Sequence, residues 1–377
     1  MLPANQTYTN VLCVRADNMG DVIMSCPAMR ALKQSHNCRI TLLTSSMGAP
    51  VSPFLPEVDD TIVFDLPWIK MTGTPDANSC IELLERIRAA DFDAAVIFTV
   101  YSQSPLPAAT LLYMAGIPVR VAYCRENPYG LLTHWIAEKE PYSMIRHQVE
   151  RDLKLVASIG ARIADNSLRV DIQKSTVAGM LKKIAAIATI GEHGKYIVLH
   201  PGVSEVKREY PVERWAKVAK QLHSEVGLPL FITGIAQEKP LAEAIVQTAG
   251  AGCYSLAGLL STAEWIALIG NAALIISVNT ATVHIAAATQ TPVVVLYALT
   301  NPQHTPWMVD NIVLPWSVHA GLKSKNEIIC YVDELLFKKQ LPLPEPSEIV
   351  VAAIKLLTYP EQMPPNVLIT VNPPAFS

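Results

Sequence analysis

Positive charge is not in surplus in this 377-residue sequence: 30 lysines and arginines stand against 33 aspartates and glutamates, for a net charge of −3. No basic tract is interleaved with aromatics either, and the two absences together exclude the electrostatic footprint of a nucleic-acid binder. Cysteines are few and scattered. Cys13, Cys26, Cys38, Cys80, Cys124, Cys253 and Cys330 contain no Cys-x-x-Cys pair, which argues against a zinc site, and their odd number argues for a reducing compartment. The opening stretch, Met1 to Asn10, lacks a basic segment leading into an apolar one, so no secretory signal is expected and the cytoplasm is the default location. An unbroken apolar run of membrane length is missing as well. The longest apolar region, Ala272 to Leu299, is interrupted by Asn279, His284, Gln290 and Pro292, a density that is costly in lipid and suits a buried sheet. The glycine-rich dinucleotide fingerprint is also absent, because only Gly20 lies between Arg15 and Arg30, and this counts against a nicotinamide oxidoreductase.

What is present is a half-apolar, weakly charged chain, long enough for two domains with separate cores. Strand-like and helix-like segments alternate through its first half: Val11 to Val14, Val22 to Lys33, Ile40 to Thr44, Ile81 to Ala89, Ala94 to Phe98, Leu106 to Met114, Val119 to Ala122 and the helical Met144 to Ile159. Strands separated by helices of this length predict right-handed βαβ units and a parallel sheet. After a weakly structured stretch near Gly191 to Lys195 the rhythm restarts. Tyr196 to His200 and Leu228 to Thr233 read as strands, and Pro211 to Val226, Glu238 to Ala249 and Thr262 to Ile269 as helices. The expected architecture is α/β, two Rossmann-like domains facing each other across a cleft. Their bounds are 1–175 and 176–345, with 346–377 holding a last helix, about Ser347 to Leu357, that packs back on the first half, and a Pro-rich tail from Pro360.

Three places carry candidate chemistry. Ser277-Val-Asn-Thr-Ala-Thr-Val-His284 lies between the strand-like Ala272 to Ile276 and Pro292 to Leu296, so hydroxyl and amide side chains and a helix start fall at the carboxyl end of a sheet. There α/β proteins bind phosphorylated ligands. In the turn Arg15-Ala-Asp-Asn-Met-Gly-Asp21, Asp21 sits at or just inside a helix start. It suits a capping role, and equally a carboxylate that accepts a proton from an incoming hydroxyl. In the second half Gly202 lets backbone approach a ligand, Lys207 and Arg208 could neutralise a diphosphate or simply be solvated, and Thr233-Gly234 precedes Glu238. That glutamate could accept from a ribose hydroxyl or complement a helix dipole.

Taken together these segments resemble glycosyltransferase family nine, the heptosyltransferases that build the inner core of lipopolysaccharide. The resemblance rests on Arg15 to Leu32, Pro56-Glu-Val-Asp59, the helix around His147 and Glu150 to Gly160, His200-Pro-Gly202, Tyr210-Pro-Val-Glu-Arg-Trp215, Thr233-Gly234 with Glu238, Leu256-Ala-Gly258, Thr280 to His284 and Thr291-Pro-Val-Val-Val295. It implies the two-domain GT-B fold, with an acceptor held by the first half and a nucleotide-sugar donor, ADP-heptose being favoured, by the second. It also implies an inverting single displacement onto a glycan or glycolipid acceptor, with Asp21 in the position of the proposed general base. On the donor side the candidates are Gly202, Lys207, Arg208, Thr233, Gly234, Glu238, Asn279, Thr280, Ala281 and His284; on the acceptor side they are Arg15, Asn18, Gly20 and Arg120. No Asp-x-Asp cluster stands at a strand end of the second half, so no obligatory metal or cofactor is expected. A lipid-linked acceptor would bring the protein to the inner membrane face as a peripheral visitor. Two departures stand out. Asn279-Thr280-Ala281 replaces the family's Asp-Thr-Gly, which leaves open a weaker hold on the donor, a different donor sugar or a non-catalytic nucleotide-sugar binder; on the acceptor side a soluble sugar or a protein stays open. The family's lysine three residues before the helix proline aligns with Arg208, so either it or Lys207 could meet phosphate.

Overall fold

The computed structural model describes residues 7–69, 75–189 and 194–358. The expectations for the first residues, for much of Gly191 to Lys195 and for the Pro-rich tail therefore fall outside the described residues. The chain forms two compact units that divide between Arg169 and Val170, six residues before the boundary read from sequence.

The first unit is a six-stranded parallel sheet. Its strands are β1 (Asn10–Val14), β2 (Arg39–Thr44), β3 (Asp60–Val63), β4 (Ala94–Ile97), β5 (Val119–Cys124) and β6 (His134–Ala137), arranged β3-β2-β1-β4-β5-β6. Helices α1 (Met19–His36), α2 (Ala77–Ala89), α3 (Leu106–Met114) and α4 (Gln148–Ala157) cover it. With a helix on each face the central strands are largely apolar, and β4 is apolar and buried at every position. From Val22 to Leu32 every residue of α1 is buried, which explains why that helix shows no polar face. It stops at Asn37, whose φ of 52° is left-handed, a conformation that asparagine tolerates at a helix end.

The second unit repeats the order. Strands β7 (Ile197–His200), β8 (Leu230–Ile232), β9 (Cys253–Ser255), β10 (Leu274–Val278), β11 (Val293–Ala298) and β12 (Asn311–Trp316) lie as β12-β11-β10-β7-β8-β9. Its helices are α5 (Lys174–Ala185), α6 (Val212–Val226), α7 (Lys239–Ala249), α8 (Thr262–Gly270), α9 (Ala281–Ala288), α10 (Glu327–Leu336) and α11 (Pro346–Thr358). In both sheets the strand order reverses between the first strand and the fourth, β1 and β4 in one and β7 and β10 in the other. Crevices at such reversals are where open α/β sheets bind ligands.

One expectation is corrected here. Helix α11 is part of the second unit: Ile349, Val350, Ala352, Ala353 and Leu356 enter the core shared with Trp215, Ala219 and Leu222 of α6 and with β10 and β11. Its apolar stripe covers sheet surface beside α6. The segment before it is pinned by Tyr210, whose hydroxyl donates to the Pro344 carbonyl at 2.8 Å, and by an Arg214–Glu345 ion pair at 3.2 Å.

Candidate functional site

In the first unit, β1 feeds the turn that carries Arg15, Asp17, Asn18, Gly20 and Asp21. Asp21 occupies the third position of α1, and its Oδ2 accepts from the Asn18 backbone N–H at 3.2 Å, so it does cap the helix. Its Oδ1 accepts from Arg15 Nη2 at 3.0 Å. The Arg15 side chain is fully buried and also pairs through Nε with Asp17 at 3.3 Å. Behind it lies Asp152 of α4, also fully enclosed, which accepts from the Ser25 hydroxyl and from Gln148 Nε2, each at 2.7 Å. Burial pushes the Asp152 carboxyl up to about 6 although Arg15 pulls the other way. The same conflict leaves Asp17 above the usual carboxylate range. One buried guanidinium thus serves three carboxylates, and such a charge set holds its members in place because losing any partner strands the others.

Asp17, Asp152 and Gln103, which donates to Asp17 Oδ1 at 2.7 Å, did not stand out as site residues in the sequence. The available signal was in α4, whose buried stripe includes Gln148, Arg151 and Asp152 among its apolar residues. Polar groups on a core-facing stripe mark a buried network.

Arg120 is a correction. It sits near the amino end of β5, and its guanidinium donates to the carbonyls of Ile117, Gly130 and Leu131, with the Tyr113 ring 5.3 Å away. It braces the loop that enters β6 and is not gathered with Asp21. Arg30 and Lys33 of α1 are engaged by Glu57 and Asp59 at 2.7 and 2.6 Å.

In the second unit the strand ends form a polar shelf. His200 is held neutral by burial, which moves it down to about 4, and its Nδ1 lies 3.0 Å from the Thr233 hydroxyl. Thr233 is itself buried and also bonds the Leu199 carbonyl, so its hydroxyl laces β7 to β8 and does not face outward. Gly202 and Gly234 make room for Glu238. A Cβ on Gly202 would lie 2.2 Å from its carboxylate, and one on Gly234 would lie 2.7 Å away. Glu238 Oε2 accepts from the Ile235 N–H at 2.8 Å, and burial raises this carboxyl above its ordinary range.

At the β10–α9 turn, Arg208 Nη1 donates to the Asn279 carbonyl at 2.9 Å, which places a guanidinium against Asn279-Thr280. Lys207 and Arg208 both pair with Glu205, at 3.1 and 3.3 Å. The Asn279 amide donates to Thr300 Oγ1 and accepts from the Ala298 N–H, both at 3.3 Å, so it ties the ends of β10 and β11 together. Thr280 starts α9 in an extended conformation and its hydroxyl goes to Thr282, 3.2 Å away, with no side-chain cap on the helix. Ala281 and Thr282 accordingly present the first N–H groups of α9, the positive end of its dipole. His284 is buried one turn on, with the His304 ring edge-on at 6.3 Å. Among the described residues, no group of three or more His, Cys, Asp or Glu side chains is arranged to hold a metal ion, and no helix is long and apolar enough to cross a membrane.

Comparisons with known proteins give this geometry its relatives. The chain is 26% identical to lipooligosaccharide heptosyltransferase 2 of Haemophilus influenzae, over 81% of this chain and 88% of that one. The solved glycosyltransferase family 9 protein of Veillonella parvula superimposes with a TM-score of 0.76 at 18% identity, covering 94% of this chain and 98% of that one. The solved ADP-heptose lps heptosyltransferase II of Escherichia coli gives a TM-score of 0.64 at 21% identity, covering 81% and 90%. These structural likenesses carry the fold, so the α/β, GT-B class expected from sequence is the one observed. The model of Glycosyltransferase family 9 (heptosyltransferase) matches residues 80–335, more than half of the chain, from helix α2 through helix α10 and so including the Glu238 shelf and the Asn279 turn, and the chain belongs to that family.

Proposed function

We propose that the protein is an inverting heptosyltransferase that moves heptose from ADP-heptose to a sugar of the lipopolysaccharide core. Family membership over residues 80–335 carries this reading. The Haemophilus influenzae and Escherichia coli relatives, named for heptosyl transfer and for ADP-heptose, support the choice of sugar and nucleotide.

In this reading the acceptor hydroxyl attacks the anomeric carbon while the carbon–oxygen bond to ADP breaks on the opposite face, so configuration inverts once. Asp21 takes the hydroxyl proton. Arg15 and the Asn18 N–H fix its carboxylate before substrate arrives, so little reorganisation is left for the reaction itself. The departing diphosphate gathers negative charge. The N–H groups of Ala281 and Thr282 and the Arg208 guanidinium stabilise it, as preorganised donors do wherever charge develops. Glu238 accepts from the ribose hydroxyls. The lipid-linked acceptor is met from the cytoplasmic side by peripheral contact.

The test is to incubate the purified protein with ADP-heptose and core oligosaccharide, follow ADP release, and read the anomeric configuration of the product by NMR. ADP release with transfer and inversion is expected. Binding of ADP without transfer to any core acceptor would refute the reading.

A further inference from the structure

At the reversal point of the first sheet, where β1 and β4 run side by side, a cavity opens between the turns that leave the two strands. Its polar wall is Asp17, Thr99, Gln103 and Ser104; Leu66 and the half-buried Trp68 form the apolar one. Its volume of about 20 Å³ decides what can enter. That is more than one water needs but far too little for a sugar ring, so a ring can only cover the mouth and send one arm inside.

The wall chemistry narrows the arm further. Thr99 is buried, and its hydroxyl oxygen has no hydrogen-bond partner, a costly arrangement unless a ligand supplies one. The Thr99 backbone cannot drift, because its carbonyl accepts from Gln148 Nε2 at 3.2 Å and from Arg151 Nε at 2.9 Å. Gln103 Oε1 accepts from the Val100 N–H at 3.1 Å and its Nε2 donates to Asp17, which leaves the second amide hydrogen for a guest. Asp17 faces the cavity as a carboxylate. Among the described residues the cation paired with it, Arg15, is fully buried and is shared with Asp21 and Asp152, so the balance of these groups is negative.

We propose that this cavity is a specificity pocket for a single uncharged, hydroxyl-bearing arm of the acceptor sugar, such as a hydroxymethyl group, and that Asp17 excludes a sugar bearing a carboxylate or phosphate at that position. The identity of the ligand as a sugar rests on the transferase reading above. The arm's hydroxyl donates to Asp17 and accepts from Gln103 or Thr99, and the ring's C–H face lies toward Trp68. Pairing of an aromatic surface with a few fixed polar groups is how small-molecule sites orient a guest.

Two glycosides that differ only in the arm test this: methyl α-D-mannopyranoside, which carries a hydroxymethyl group, and its C6 carboxylate, the corresponding uronide. Saturation-transfer NMR on the full chain with ADP present measures both, and thermal melting checks that each variant is folded. The neutral glycoside should receive saturation most strongly at its C6 hydrogens and bind at least tenfold more tightly than the uronide. Thr99→Val and Gln103→Ala should flatten the C6 signal, and Asp17→Asn should bring the uronide to within about threefold of the neutral glycoside. Equal or tighter uronide binding to the unmodified chain overturns the proposal, as does a folded Asp17→Asn that leaves the discrimination intact. If ADP stabilises the protein but neither glycoside receives saturation, the pocket is refuted and the transferase reading stands. If ADP fails to stabilise it, the transferase reading falls, and the glycoside arm alone decides the pocket.

Discussion

Arg15 holds Asp21 by a 3.0 Å hydrogen bond from a guanidinium that solvent does not reach, although Asp21 itself is only partly covered. A carboxylate at a helix start would ordinarily swing among rotamers. Here one oxygen is fixed by arginine and the other by the Asn18 N–H, so the group is aimed before any substrate arrives. Asp21→Asn keeps the shape and removes the proton acceptor. Turnover should fall by ~10²–10⁴-fold, the usual contribution of a general base, while ADP affinity measured by calorimetry stays within about twofold. Unchanged turnover would remove Asp21 from the reaction.

Asp152 makes stability depend on pH. Its carboxyl is raised from 3.8 to about 6 in the folded protein, so between roughly pH 4 and pH 6 the folded state keeps a proton that the unfolded chain has released. Stability therefore falls as pH rises through that window, by up to roughly 3 kcal/mol from this group. Urea midpoints at pH 4, 5, 6 and 7 should show the decline in the unmodified protein and a shallower one in Asp152→Asn. Parallel curves would mean that the buried carboxyl does not titrate there.

Gly202→Ala should separate binding from folding. The added Cβ meets the Glu238 carboxylate at 2.2 Å, and the carboxylate can rotate away, so the melting temperature should change by no more than a few degrees. Displaced from its shelf, Glu238 no longer serves a ribose, and ADP affinity should drop about as far as in Glu238→Ala. Calorimetric titration of both variants checks the match. A Gly202→Ala protein with normal ADP affinity would show that the glutamate is not at the nucleoside.

The two neighbouring cations should prove unequal. Both pair with Glu205, but Arg208 also donates to the Asn279 carbonyl, whereas Lys207 lies within the field of Asp333. Arg208→Ala should weaken ADP binding by at least tenfold, about 1.4 kcal/mol, and Lys207→Ala by less than about threefold. Titrating ADP into each variant tests the ranking, and the reverse order would assign the phosphate contact to Lys207.

The central strands were legible in the sequence because burial on both sides writes continuous apolar runs, and so were the helices apart from α5 and α10. Val11 to Val14, Ala94 to Phe98, Tyr196 to His200 and Pro292 to Leu296 all match observed strands to within a residue or two. The four strands that escaped notice, β3, β6, β9 and β12, are the four sheet edges. Edge strands are short and half covered, so their residues alternate or mix. β6 reads as alternately half-buried and exposed, and β12 contains Pro315, tolerable only where one ladder is missing. In the candidate site, residues near a strand end were readable from the turn they occupy. Asp152 was not, because its partner Ser25 lies 127 positions away and only folding brings them together. Arg120 misled for the converse reason: a strand arginine looks available until the carbonyls that claim it are known.

The repeated strand order has an evolutionary corollary. Each sheet supplies its own crevice, between β1 and β4 in one unit and between β7 and β10 in the other, and each crevice is walled by loops that its own core supports. Loop changes beside Asp17 thus draw on a different core from the one beneath Glu238 and Arg208, and the converse holds. On the proposed transferase reading, descendants of one ancestor drift toward new acceptors while inheriting the nucleotide end intact, one mutation at a time.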